Sequence, residues 1–341
     1  MSAAVTLDTA GSAESMVGVG RHVYGGPETL QLVQVARPEP GANEILARVR
    51  AAGVARSASH LMTGLPYLVR MAGFGIGRPK RPLLGSEFSG VVEAVGSGVT
   101  SFKPGDEVYG SGDGAFAEYV VARDDRLSSK PACLTFEEAA AIPESASTAL
   151  QAVRDKGQVQ AGQRVLVIGA SGGVGSYAVQ IAKALGAEVT GVSSTAKVDL
   201  VRALGADHVV DYTTGEFAEP DVAYDLVVDI GGNRPLSVLI PHLTERGMLV
   251  VVGGEGGGKV VGAVSRSINA LFMAPFTRRK IVTLVASVRR QDLEFLSGLV
   301  VAGRLRPTID RVYPLSETAE AIRQLEAGRV RGKLVVAVNR T

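Results

Sequence analysis

The 341-residue chain contains no Trp, one Cys and only 5% aromatic residues. Each shortage removes a class of protein. The single Cys133, in PACLT, cannot make an internal disulfide or assemble either common all-protein zinc cluster. Beside a proline in an apolar stretch it reads as a small buried or half-buried hydrophobe. With 36 basic against 34 acidic side chains, the net charge of +2 gives no strong field for capturing nucleic acid by counterion release. No apolar stretch reaches the ~18 residues of a membrane span. No charged start followed by an apolar run marks a secretory signal, and the expected compartment is the reducing cytoplasm. What is plentiful is glycine, 42 residues, in a composition that is 46% hydrophobic and 21% charged. That composition predicts a folded chain with many tight turns and short parallel strands, divided into about two domains at roughly 100–200 residues each.

Residues 1–20 are small and polar and are expected to form a flexible N-terminal extension, with the folded part starting near Arg21. From there to about Leu127 the apolar runs alternate and are short: LQLVQVA, EILARVRAAGV, FSGVVEAVGSGV, AFAEYVVA. Period-two runs between Gly, Pro and Asp predict a mostly antiparallel β region. The stretch 66–82 interrupts it with too many helix breakers for a continuous helix and reads as an excursion, or a short helix plus loop. Its basic tip, Arg78, Lys80 and Arg81, is a solvated face or a contact for an anionic ligand.

From about 160 to 288 the pattern becomes β–α alternation, with apolar runs at 165–168, 188–192, 208–212, 225–230, 248–254 and 281–288. Short, wholly apolar runs separated by helical segments predict a parallel sheet covered on both faces. Val174, Ala178, Ile181 and Leu185 lie on one helical face that stops at Gly186, and a second helix stops at Gly205. The last zone holds a helix in QDLEFLSGLVVAG, strand character around PTIDRVYPL, and a helix in SETAEAIRQLEAG with Ser316 as an imperfect cap. A final strand, GKLVVAV, is expected to return to the first zone.

The sharpest local signal is VLVIGASGGVGSYAVQIAKALGAEV, a strand feeding a glycine-rich turn that opens an amphipathic helix. Ala170, Ser171, Gly172, Gly173, Val174 and Gly175 occupy the dinucleotide fingerprint, with Ala170 in place of its first glycine. Small residues there let the backbone approach a pyrophosphate at the positive end of the helix. GASGG also satisfies the G-x-S-x-G nucleophile elbow, and a remote alternative is an α/β-hydrolase with Ser171 as nucleophile and Asp229 and His242 as partners. At the end of the next strand, where an acid would bind a ribose 2′-hydroxyl, the chain has Ser193, Ser194 and Thr195 with Lys197 behind. Hydroxyls and an ammonium without a carboxylate favour a 2′-phosphate, hence NADPH.

The strings PLLGSEFSGVVEAVGSGVTSFKPGDEVYG, AFAEYV, GASGGVG, ALGADHVVDY and RGKLVV together resemble the medium-chain dehydrogenase/reductase superfamily. More narrowly they are similar to its zinc-free, NADPH-dependent quinone oxidoreductase and enone reductase branch. The resemblance covers nearly the whole chain. It implies an α/β fold in which a GroES-like β domain is built from both chain ends (21–127 and 289–341). A six-stranded parallel Rossmann domain (128–288) is inserted between them, with the active site in the cleft. It further implies a small-molecule substrate and a homodimer. Zinc-dependent members carry His-Glu where this chain has Ser86-Glu87, so no metal site is expected. By resemblance, Lys197 and Tyr212 hold the 2′-phosphate with Ser193, Thr148 lies near the nicotinamide, and Gly253 and Gly254 form a loop near that ring. Lys333 lies near the cofactor phosphates, its plain alternative being a solvated charge. Tyr67 matches a substrate-side tyrosine.

Two departures bear on the chemistry the resemblance implies, hydride transfer to a quinone or α,β-unsaturated carbonyl. Where relatives commonly have Val-Asn-Pro followed by an Asp, this chain reads Val54, Ala55, Arg56, Ser57, Ala58. In addition Glu144, Ser145 and Ser147 make a usually apolar stretch polar. Arg56 and Glu144 therefore join Tyr67 as substrate-side candidates. The competing reading is a protein that kept the fold and took up a non-redox biosynthetic role, or only binds NADPH.

Overall fold

The computed structural model describes residues 5–6, 14–67, 70–215, 217–219, 221–253 and 279–338. The chain divides into two compact units: Met1–Glu144 with Val288–Val301 and Pro307–Thr341, and Ser145–Ser287 with Ala302–Arg306. In the first unit β1 (Val5–Thr6), β2 (Ser15–Gly20) and β3 (Gln31–Ala36) form a small sheet in the order β1-β3-β2. The ordered chain therefore begins before Arg21, correcting the expectation of a flexible segment through residue 20. Met16 and Val19 are buried, and β2 pairs with β3 from Ser15↔Ala36 to Gly20↔Gln31.

The larger sheet of this unit contains β4 (Glu44–Val54), β5 (Glu87–Val95), β6 (Glu107–Ser111), β7 (Tyr119–Arg123) and β8 (Leu127–Ser129). Helices α1 (Arg56–Thr63), α2 (Phe136–Ala140) and α3 (Pro143–Leu150) follow β4 and β8. The boundary between the units falls inside α3, at Glu144/Ser145, and not at residue 127. The reason is local: Thr135 and Glu138 form a reciprocal capping box at the start of α2. Ala139 to Ile142 are then wholly buried, with Ala140 and Ala141 against Ala51 and Val335.

The second unit is a six-stranded sheet paired in parallel throughout. In chain order come β9 (Arg164–Ile168), α4 (Gly173–Ala184), β10 (Glu188–Ser193), α5 (Val198–Ala203), β11 (His208–Asp211), β12 (Tyr224–Asp229), β13 (Leu243–Val251) and β14 (Lys280–Thr283). Every predicted apolar run holds one strand. The spatial order β11-β10-β9-β12-β13-β14 is the doubly wound order 3-2-1-4-5-6, whose strand order reverses beside the first strand. Gly186 and Gly205 end α4 and α5 at φ of +87° and +94°, a conformation that costs other residues about 1 kcal/mol or more.

The chain then returns to the first unit through α6 (Arg290–Val301), β15 (Ile309–Pro314), α7 (Thr318–Glu326) and β16 (Lys333–Ala337). As expected of the final strand, β16 pairs antiparallel with β4, Leu334 opposite Val54. Phe88, Phe116, Val49, Leu127 and Val336 share one buried cluster. Residues 302–306 stay with the second unit, where the Gln180 side chain bonds both backbone groups of Arg306. Ser316 does not cap α7, because a tight helical turn at Leu315–Glu317 precedes it and the Thr318 hydroxyl donates to Leu315 O instead. Cys133 is exposed, not buried. No described helix is long and apolar enough to cross a membrane.

Tyr109, wholly buried on β6, donates its hydroxyl to Leu293 O at 2.7 Å and lies 2.8 Å from Ser297 Oγ, which fastens α6 to the sheet. Tyr109→Phe is expected to lower the unfolding free energy by about 1–1.5 kcal/mol, the net worth of such bonds. Urea denaturation with an unchanged m-value checks this.

Candidate functional site

The glycine loop of the second unit is shaped by backbone packing. After β9, Gly169 turns at φ +85° and its carbonyl accepts from Gly172 N at 3.1 Å. A Cβ on Gly175 would fall onto that same carbonyl oxygen, so only glycine lets the first turn of α4 lie against the loop. Ala170 and Ser171 are buried, and Ala170 N is tied to Val192 O at 3.0 Å. Gly172, Gly173 and Val174 sit half-exposed at the tip. Gly172 caps α4 without a side-chain hydrogen bond, which leaves the leading N–H groups of a 12-residue helix open to an anion.

The hydrolase alternative finds no support in this arrangement. Asp229 is buried with its Oδ1 accepting from Gly232 N at 3.1 Å, and His242 packs edge-on to Phe217 with ring centroids 4.9 Å apart. No hydrogen bond joins Ser171 to His242 among the described residues.

At the end of β10, Ser193 is buried, while Ser194 and Lys197 are half-buried and Tyr212 is exposed. Ser193 stands in register with Asp211 of β11. The Asp211 carboxylate accepts from Thr195 Oγ1 at 2.5 Å, Thr213 Oγ1 at 2.6 Å and Thr213 N at 3.0 Å. The Thr195 and Thr213 hydroxyls hold its pKa below the ordinary Asp value. The expectation that this corner lacks a carboxylate is thereby corrected: one arrives from the neighbouring strand. Its signal was HVVDY, in which the Asp ends a strand.

Thr148 is half-buried on α3, next to a buried Ser147 hydroxyl that has no hydrogen-bond partner among the described residues. Gly253 follows β13 where a Cβ would strike Ile230 O, and Gly254 lies outside the described residues.

The first unit holds a separate polar cluster where the starts of β5, β16, α1 and α3 meet the end of β4. Lys333 (2% exposed) pairs with Glu87 (0%), and its Nζ also reaches Val54 O at 3.5 Å. Lys333 is thus neither a solvated charge nor open to a phosphate; its ammonium is sealed against a carboxylate inside the sheet. Glu87 Oε2 accepts from Glu144 N at 2.8 Å. The Glu144 carboxylate in turn accepts from Ser57 Oγ at 2.7 Å and from Ser86 Oγ, and the two hydroxyl oxygens are 3.3 Å apart. Burial pushes the Glu87 carboxyl up to about 7, with the Glu144 charge adding to the rise and the Lys333 ammonium opposing it. Arg56 is half-buried beside Ser57 at the start of α1. Tyr67 is in a different group: it is 42% exposed, and the Arg70 guanidinium lies 4.8 Å from its ring centroid and 4.2 Å from that of Tyr24. Sequence reasoning found Glu144 but missed Ser57 and Ser86 as its partners, because they are far apart in the chain. Among the described residues no three His, Cys, Asp or Glu side chains converge as a metal site.

Removing one member of the Glu87–Lys333 pair leaves a buried charge alone. Lys333→Met is therefore expected to destabilise the fold by about 3–5 kcal/mol, and Lys333→Met with Glu87→Leu by much less. Chemical denaturation of the single and double variants checks this. Because burial raises the folded Glu87 carboxyl to about 7 against an ordinary value of 4.5, its contribution to stability is lost as pH rises through that window, and the charged pair with Lys333 is complete only above it. Glu87→Gln should flatten this limb of the melting-temperature profile.

Comparison with known proteins places these two units in one family. The alcohol dehydrogenase GroES-like domain matches residues 41–132 and the zinc-binding dehydrogenase family matches residues 204–336. The chain is 32% identical over 328 residues to the chloroplast envelope quinone oxidoreductase homolog of Arabidopsis thaliana, covering 92% of this chain and 95% of that one. It is 32% identical over 335 residues to the human mitochondrial NAD(P)H oxidoreductase RTN4IP1, covering 87% and 82%. Among solved structures it is similar to the quinone oxidoreductase from Coxiella burnetii, with a TM-score of 0.83, 30% identity, and 96% and 100% of the two chains covered. With the GroES-like unit drawn from both chain ends and the six parallel strands between them, the chain belongs to the medium-chain dehydrogenase/reductase superfamily.

Proposed function

We propose that the protein is an NADPH-dependent, metal-free oxidoreductase that reduces a quinone or an α,β-unsaturated carbonyl compound. The observation that carries this reading is the loop walled by Gly175, opening onto the uncapped N-terminus of α4 beside the reversal of strand order. A pyrophosphate is the group that fits there, because the backbone is bare and the helix dipole favours negative charge. Ser193, Ser194, Lys197 and Tyr212 would take the 2′-phosphate, Asp211 keeping Thr195 and Thr213 fixed beside them. Thr148 and Gly253 would face the nicotinamide end. When bound, the dihydronicotinamide supplies a hydride at C4. The protein's own work is to orient, to exclude water and to handle protons. Relatives named as quinone and NAD(P)H oxidoreductases support the same reaction class.

Lys197→Ala is expected to raise the NADPH dissociation constant about tenfold, one charge-assisted bond of about 1.5 kcal/mol, and to change that of NADH by less than about twofold. Titration calorimetry with both nucleotides checks this, and equal losses would overturn the 2′-phosphate assignment. Anaerobic mixing with NADPH and a panel of quinones and enones is expected to show cofactor oxidation. Tight binding with no oxidation across the panel favours the non-redox reading that the altered Ala55–Ala58 segment suggests.

A further inference from the structure

The excursion at 66–82, whose basic tip the proposed function does not employ, carries an exposed apolar and cationic patch within the first unit. We propose that this segment docks the protein on an anionic phospholipid surface, with Met71, Phe74 and Ile76 entering the interfacial layer and Arg78 and Lys80 meeting lipid phosphates. The inference stands apart from the oxidoreductase reading, because surface binding is measured without cofactor or acceptor.

The segment is held in shape from its base. Helix α1 ends at Gly64 with φ +62°, and the chain rejoins the unit where Arg21 N donates to Pro82 O at 2.9 Å and Gly20 pairs with Leu83. Between these points Arg70 is an internal brace. Its Nε donates to Gly64 O at 3.0 Å, its Nη2 to Thr63 O at 3.2 Å, and its guanidinium lies 4.2 Å from the Tyr24 ring centroid. The Tyr24 hydroxyl donates to Gly75 O at 2.7 Å. Lys80 N donates to Phe74 O at 3.0 Å, closing a turn in which Gly75 has φ +107° and a Cβ would strike Arg78 O. A turn braced in this way loses little conformational freedom when its tip is bound.

What the turn presents is apolar and cationic at once. Met71 is 74% exposed, Ile76 77% and Phe74 41%. With Tyr67 they supply four of the twelve large apolar side chains that the described residues expose, all between positions 67 and 76, so they form a cluster and not the scattered exposure normal for a surface. Side chains as exposed as Met71 and Ile76 project outward instead of lining a groove. Arg78, Lys80 and Arg81 follow directly and are exposed. Arg81 is answered by Asp113, whereas Arg78 and Lys80 form no ion pair among the described residues. No Asp or Glu occurs from 65 to 86, so the positive charge is a local excess in a chain whose net charge is only +2. Apolar side chains beside unanswered cations fit an anionic lipid interface, where buried area and electrostatic attraction add. The Arg78 and Lys80 stems would lie along the acyl boundary with their charged heads at the phosphates. A second copy of the chain fits this patch less well, because a two-fold contact would bring the same cations toward each other with no acid in the segment to answer them.

The test is flotation of the full chain with vesicles of phosphatidylcholine alone and with vesicles containing about 30% phosphatidylglycerol, at low and at raised salt. Binding to the anionic vesicles is expected to be at least about tenfold stronger and to weaken as salt rises. Arg78→Gln and Lys80→Gln should each weaken it about fivefold, and Met71→Ser and Ile76→Ser about tenfold each. Melting temperatures should stay in place, because exposed positions of this kind carry little stability. Since the chain has no Trp, Ile76→Trp supplies a single fluorescent reporter. Its emission should shift to the blue on anionic vesicles, and that of Val312→Trp, at an exposed position on β15, should not. Equal binding to both kinds of vesicle, no binding to either at low salt, or a blue shift for Val312→Trp without one for Ile76→Trp overturns the proposal. So does self-association of the unaltered chain that Ile76→Ser abolishes while vesicle binding persists, which would make the patch an interface between copies.

Discussion

The ion pair between Glu87 and Lys333 is the constraint on which the first unit depends. Desolvating two charges costs several kcal/mol per ion, so the pair is tolerable only with close geometry and satisfied remaining oxygens. Those conditions are met here by Val54 O on the ammonium and by Glu144 N on the second carboxylate oxygen. Lys333 begins the last strand and Glu87 begins β5, on opposite sides of β4. The pair therefore fixes the register in which the two ends of the chain close one sheet. It also holds the backbone of Glu144, and through it the orientation of the carboxylate toward Ser57 and Ser86. Stability and candidate chemistry share one anchor.

In the second unit the glycine loop offers bare backbone, free of side-chain charge, at the place proposed for the dinucleotide. Gly175 removes the atom that would block the approach, Gly172 leaves the helix end uncapped, and the tie from Ala170 N to Val192 O holds the loop against β10. Among the described residues charge stands at the neighbouring corner, in Lys197 and the Asp211 carboxylate bound by two threonines. The chemistry-bearing groups are thus divided, with the loop in one unit and the carboxylate–hydroxyl trio in the other.

The parallel sheet was legible because strands covered on both faces must be continuously apolar, and each of the six runs is. The glycine loop was legible because its spacing answers to backbone sterics. Elements that miss such rules were hidden. The strand SMVGVG is too short and glycine-rich to stand out beside a polar start, and α1 begins with RSASH, which has little apolar periodicity. The unit boundary was misplaced because the wholly buried Ala139–Ile142 segment resembles the helical pattern of either unit. Long-range partnerships had no local trace at all. Ser57, Ser86, Glu87, Glu144 and Lys333 meet only once β4, β5 and β16 are aligned, so the sequence around Lys333 by itself points to a phosphate-facing or solvated charge.

The central claim is direct hydride transfer from a bound dihydronicotinamide to carbon, and isotope labelling tests it most directly. With NADPH deuterated at one C4 face, the account predicts that a single face transfers its deuterium to the β carbon of a reduced enone, with none appearing in water. Product without carbon-bound deuterium, or no product from either labelled face, would contradict it.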